Sequence, residues 1–132
     1  MLSGRKKIIW TNGCFDVLHI GHAKMLEYAK SLGDELWVGI DSNERVKELK
    51  GASRPINSDC ARMLMLYHIK WVDKVFIFTT DFQLSEMTKE ADEMVVGEEY
   101  RDKRIIGSEN VKRVHFFPRI GNFSTTRIIN GS

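Results

Sequence analysis

An α/β fold built on a five-stranded, mainly parallel sheet with helices on both faces is what the sequence predicts. Three observations lead there. Five short apolar and β-branched runs recur along the chain, amphipathic segments fill most of the intervals, and a glycine turn follows the first run directly. Strands that alternate with helices close into right-handed crossover units, and these stack as a parallel sheet covered on either side. The length of 132 residues suits one domain, 1–132, with an ordinary core and no room for a second.

Lys7 to Trp10 is the first run. A helix is expected from about Gly21, because Ala23, Leu26 and Ala29, and Met25, Tyr28 and Leu32, recur at three- and four-residue spacings before Gly33, which reads as its C-cap. Glu35 to Ile40 is the second strand. A shorter helix over about Ser42 to Leu49 stops at Gly51, and Ser53 to Asn57 reads as a loop since Pro55 disfavours helix before it. Asn57 or Ser58 can cap a third helix, whose stripe of Ala61, Leu64, Met65, His68 and Ile69 is expected to pack on the sheet. Lys74 to Phe78, a helix near Phe82 to Lys89, Glu93 to Val96 and Val114 to Phe117 complete the alternation. The polar stretch from Glu98 to Arg113 is expected to be a functional loop. Trp10, Trp37 and Trp71 read as core or dimer surface.

Composition narrows the function. The net charge of +2, from 20 basic and 18 acidic residues, is too balanced for a dedicated nucleic-acid binder, so an anionic ligand must be met locally. Cys14 and Cys60 lack a C-x-x-C spacing, which argues against both a disulfide framework and a zinc site. The apolar run after the basic start is too short for a signal peptide or a membrane span, so the expected place is the cytoplasm.

The chemistry concentrates between the first strand and the first helix, in Gly13-Cys14-Phe15-Asp16-Val17-Leu18-His19-Ile20-Gly21-His22. Gly13 permits a backbone conformation closed to other residues and a close ligand approach, and Asp16 can brace the turn locally. His19 and His22 share one helix face at i and i+3, where unpaired amides and the positive dipole end favour phosphate. Donors fixed before reaction stabilise developing charge, so no nucleophile is required. The plain alternative is a pair of polar residues at a helix start, against which Gly13, Asp16 and Gly21 stand together with the pair. No third ligand lies at a familiar zinc spacing, so no metal held by the protein is expected. Lys47, Lys50 and Arg54 follow the second strand and are expected on the same sheet edge, and Arg62 on the third helix can meet phosphate or a carboxylate. Near the C-terminus, Ser124 can cap a last helix, Ser124 and Thr125 can donate to phosphate, and Arg119 can add a bidentate contact.

Gly13 to His22 fits the pattern G-x-F-D-x-x-H-x-G-H and Ser124-Thr125-Thr126 the matching S-T-T element, so the chain resembles the cytidylyltransferase-like superfamily of small nucleotidyltransferases nearly end to end. The implied fold is Rossmann-like. Thr11 to Asp16, Leu49-Lys50-Gly51 leading to Ser53-Arg54-Pro55-Ile56-Asn57, and Tyr100 with Ile106-Gly107 resemble the adenylyltransferase domain that activates heptose 1-phosphate. The histidine turn and Arg119 through Thr126 are similar to glycerol-3-phosphate cytidylyltransferase. The resemblance implies that Cys14 and Phe15 lie against the nucleotide with Gly13, Asp16 and Gly21, that His19 and His22 contact its phosphates, and that Arg119, Ser124 and Thr125 close over the triphosphate. Lys50 would reach phosphate from the opposite side, with Lys47, Arg54 and Arg62 toward the acceptor. The expected reaction is nucleotidyl transfer from ATP to a sugar phosphate such as heptose 1-phosphate with release of pyrophosphate, Mg2+ arriving with the nucleotide. CTP with glycerol 3-phosphate is the alternative pair, and an inactive nucleotide-binding regulatory module is an alternative of another class. A homodimer is expected, without nucleic acid or membrane as partner.

Overall fold

A computed structural model describes residues 5–118. The elements run β1 (Ile8–Gly13), α1 (Ile20–Ser31), β2 (Glu35–Asp41), α2 (Asn43–Lys50), α3 (Asp59–Tyr67), β3 (Lys74–Phe78), α4 (Asp81–Thr88), β4 (Glu93–Gly97) and β5 (Arg113–Phe117). All pairings are parallel, in the order β3-β2-β1-β4-β5. The chain steps outward from β1 to β3 and then returns to the far side of β1, so the order reverses between β1 and β4. In doubly wound sheets a crevice opens beyond the carboxyl ends of the strands at that reversal, and ligands bind there.

The reversal also divides the core. Ile9, Val38 and Ile40 pack with Leu26 and Ala29 of α1 and Leu66 of α3 on one face. Trp10, Phe78 and Met94 pack with Leu84 of α4 on the other, where Ile105, Ile106 and Val111 of the β4–β5 connection close the layer. Trp10 is fully buried, and its indole lies so close over β2 that a Cβ at Gly39 would come within 2.5 Å of the ring. Glycine at 39 is therefore a packing requirement. The stretch from Glu98 to Arg113 carries two short 3-10 turns, Glu98–Tyr100 and Ser108–Asn110. Asn110 ties it to α4 by donating to the Ser85 carbonyl and the Thr88 hydroxyl, each at 3.0 Å.

Two sequence expectations are corrected. The stripe expected to pack α3 on the sheet is largely outside: Leu64 is 59% and Met65 58% exposed, and the inward line is Arg62, Leu66 and Ile69. The helix is rotated because the Arg62 guanidinium anchors it from below, as described next. Gly33 follows a C-cap at Leu32 in the right-handed region. Its lack of a side chain serves packing instead, since a Cβ there would meet Ile9 at 2.8 Å and the Lys7 carbonyl at 2.9 Å. Gly51 does end α2 with a positive φ of 104°.

Candidate active site

The turn after β1 is held in a conformation that the sequence did not reveal. Phe15, not Gly13, takes the positive φ, at 51°. For a side chain this bulky the left-handed region costs about 1–2 kcal/mol, so the surroundings must impose it. Gly13 contributes by leaving room: a Cβ there would press on the Phe15 ring at 3.2 Å. Asp16 supplies the constraint. Its carboxylate is buried and accepts from the amides of Ile56 and Asn57, both at 2.8 Å, and from Arg54 Nε at 3.1 Å, while its own carbonyl accepts from the Asn57 side chain at 2.6 Å. Burial opposes ionisation, yet these amides and the guanidinium hold the carboxyl below its usual range. Asp16 thus braces a loop some forty positions away rather than its own turn, and it acts as a positioning residue.

Arg62 completes the frame. It is 2% exposed and donates to the carbonyls of Cys14 at 2.9 Å, Asp41 at 2.7 Å and Asn57 at 3.0 Å, and to the Asn43 side chain at 3.1 Å. The expectation that Arg62 meets an acceptor is corrected accordingly, because its donors are taken by the protein itself. Arg54 gives Nε to Asp16 and is largely buried, while its Nη2 has no hydrogen-bond partner among the described residues. Lys47 is exposed on α2, and the cavity described below is not lined by it.

At the start of α1 the two histidines cap each other's helix. His19 is the N-cap, and its Nδ1 accepts from the Gly21 amide at 3.1 Å; His22 Nδ1 accepts from the His19 amide at 3.2 Å. An imidazole nitrogen that accepts carries no proton, so each neutral ring bears its hydrogen on Nε2. The rings stack with centroids 3.8 Å apart, and His22 also lies 5.1 Å from Phe15. Gly21 has a steric role, because a Cβ there would collide with the His19 ring at 2.9 Å. Its amide is already used by His19, a correction to the expectation of an unpaired donor at that position. No acidic residue occupies the first turn, so the positive end of the α1 dipole is not neutralised. Burial, with His19 and Lys50 nearby, pushes the His22 pKa down to about 4. The ring is therefore neutral at ordinary pH.

A cavity of about 290 Å³ opens over the carboxyl ends of β1 to β4. Gly13, Cys14 and Lys50 line it, and His19 and His22 are not among its lining residues; Asp41 and Arg45, which sequence reasoning did not select, line it as well, with Tyr100, which entered only through the resemblance. Burial pushes the Cys14 thiol up, against the pull of Lys50 and Arg62, so it stays protonated beside the ligand space. Arg119, Ser124 and Thr125, and the helix expected after Ser124, lie outside the described residues.

The sheet thus reverses at β1, beneath a histidine-capped helix start and a braced left-handed turn. The chain belongs to the cytidylyltransferase-like family, whose sequence profile matches residues 10–130. It is 46% identical over 127 residues to the bifunctional protein HldE of Campylobacter concisus and 47% identical over 125 residues to that of Campylobacter jejuni. These alignments take in 96% and 94% of this chain and 27% of each relative, so the chain spans about a quarter of the length of the curated relatives it matches. The lipopolysaccharide core biosynthesis protein of Thermoplasma volcanium superposes with a TM-score of 0.72 at 23% identity, over 89% of this chain and all of that one. Thermotoga maritima TmcAL, solved with alpha-thio ATP, superposes with a TM-score of 0.67 at 15% identity, over 94% of this chain and 49% of that one. Identities this low bear on the fold alone. No helix among the described residues is long and apolar enough to cross a membrane.

Proposed function

We propose that the chain transfers a nucleoside monophosphate, preferentially from ATP, to a small sugar phosphate such as heptose 1-phosphate, releasing pyrophosphate. The acceptor phosphate oxygen attacks the α-phosphorus in line, the bond to the bridging oxygen breaks, and the pyrophosphate leaves with that electron pair. No covalent enzyme intermediate is needed. The observation that carries this reading is the stacked histidine pair, whose Nδ1 atoms are occupied by the cap so that both rings bear their hydrogen on Nε2. Such donors, fixed before reaction at an unneutralised helix start and beside Lys50, stabilise charge as it develops on the phosphorus oxygens. Gly13, Cys14 and Phe15 would shape the nucleotide side of the site, and Arg119, Ser124 and Thr125 would close over the triphosphate.

Magnesium enters with the triphosphate, since Mg2+ takes phosphate oxygens and water with few protein ligands. Among the described residues no three imidazole, thiol or carboxylate side chains converge to hold a metal. When bound, the ion would neutralise charge on the departing pyrophosphate. The sugar reading is supported by the match to the HldE proteins and by the run from Leu49 to Asn57. CTP with glycerol 3-phosphate is the second reading, favoured by the unbroken spacing from Arg119 to Thr126. We further propose a homodimer, on the strength of the exposed Leu64, Met65 and Tyr67 of α3, and a cytoplasmic location, on the sequence reading alone.

Pyrophosphate release across four nucleoside triphosphates and a panel of sugar and polyol phosphates tests the reaction directly. His19→Ala and His22→Ala should each lower kcat about 100- to 1,000-fold, the range for loss of one charge-stabilising donor, with the KM for nucleotide changed only a few-fold. Near-normal turnover in both variants refutes the assignment.

A further inference from the structure

A carboxylate lies where an anion site should exclude one. Asp41, the last residue of β2, lines the cavity that also holds Lys50 and the glycine turn, although like charge repels the phosphates proposed to bind there. It is held firmly: Oδ1 accepts from Arg45 Nε at 2.8 Å, and Arg45 is itself fixed by the Thr79 carbonyl at 3.2 Å, by Asp81 at 2.8 Å and by its stacking 5.1 Å over the Phe78 ring. The guanidinium holds the carboxylate in place through Oδ1. Oδ2 accepts no hydrogen bond from the described residues, so half of the carboxylate is left for something else. The wall also carries the apolar side chains of Phe78, Leu84 and Val96, beside the polar Asn12, Tyr100 and Arg104.

A chain of hydroxyl-bearing carbons matches these features. Its O–H groups donate to the open oxygen of the carboxylate, and its C–H faces pack on the apolar side chains. We propose that Asp41 is the specificity-determining residue for the acceptor, accepting hydroxyl hydrogens from its polyol arm while the phosphate end points to Lys50, and that Arg45 is the positioning residue that holds the carboxylate for this task. The inference rests on the nucleotidyl transfer proposed above and says which half of the cavity receives the sugar.

Steady-state kinetics on the full chain with ATP or CTP, and heptose 1-phosphate, its deoxy analogues and glycerol 3-phosphate as acceptors, test it. Asp41→Ala should raise the KM for heptose 1-phosphate about 30-fold, as expected for loss of charge-assisted hydrogen bonds, and leave the KM for nucleotide within about threefold. Asp41→Asn keeps an oxygen for Arg45 and answers the same question should the alanine variant not fold; it should raise that KM by about tenfold. With the deoxy acceptor that lacks the hydroxyl Asp41 accepts, wild type and variant should show equal KM, which a purely structural role would not produce. Nucleotide and acceptor KM rising together, or neither moving, overturns the role of Asp41 while nucleotidyl transfer stands. If the wild type transfers nucleotide to no phosphorylated sugar or polyol, the proposed reaction falls, and the acceptor pocket with it.

Discussion

His22 is neutral because it is buried beside a second imidazole and Lys50, and that has a measurable consequence for stability. Its folded pKa of about 4 lies below the ordinary 6.5, so between those values the unfolded chain binds more protons than the folded one. Stability must then rise with pH across that window and fall by about 3 kcal/mol on acidification from 6.5 to 4. Chemical denaturation at a series of pH values measures the slope, and an NMR titration of the His22 ring should give its midpoint near 4. His22→Gln leaves an amide oxygen to accept from the His19 amide, as in ordinary capping boxes, yet cannot titrate, so this variant should flatten the slope. Asp16 works in the same sense and lower down. Its carboxyl is held below the usual range, so its contribution is present above about pH 4 and disappears as the pH falls through its folded value. Asp16→Asn puts an amide where the amides of Ile56 and Asn57 and the Arg54 guanidinium require an anion, and should lower stability by about 3 kcal/mol in urea unfolding at neutral pH.

Among the elements, the strands were legible because each is a short apolar run, and Lys74–Phe78 agrees at both ends. β1 runs on to Gly13, past Trp10, since Thr11 and Asn12 still pair with β2. The helix starts were readable from Ser42, Ser58 and the histidine pair, all of which cap locally. What escaped was long-range: the bonds of Asp16 to Ile56 and Asn57 span 40 and 41 positions, and nothing in a local window announces them. Arg62 misled for a related reason. The sequence assigned Arg62 to phosphate or a carboxylate, but its fork here satisfies three carbonyls from separate segments, and that geometry turns α3 so that Leu64 and Met65 face outward. Arg62→Met should therefore destabilise by about 3–5 kcal/mol in urea unfolding, and Arg62→Lys should not restore the loss because an ammonium cannot span the same acceptors. Gly51 offers a contrasting test. With a φ of 104° and nothing within 4 Å of an added Cβ, Gly51→Ala meets conformational strain alone and should cost about 1–3 kcal/mol by the same measurement.

For the whole molecule, the strand order carries the reversal that locates the cavity; the alternation of strands and helices was visible in the sequence, but the order β3-β2-β1-β4-β5 was not, because it depends on which strands pair. The proposed dimer rests on surface rather than topology. Leu64, Met65 and Tyr67 leave an apolar stripe on α3, so light scattering should report a dimer mass, and Leu64→Ser with Met65→Ser should yield the monomer with its fold intact. A nucleoside triphosphate held at a hundred times its Kd should raise stability by about 2.7 kcal/mol, visible as a higher Tm.

The buried tie between Asp16 and residues 54–57 reaches beyond stability. It makes the nucleotide turn and the segment entering α3 one stiff piece, so both walls stand in position before any guest arrives. Capture then needs no disordered loop to fold, and calorimetry should find a heat-capacity change of binding no larger than the guest's own apolar surface would produce.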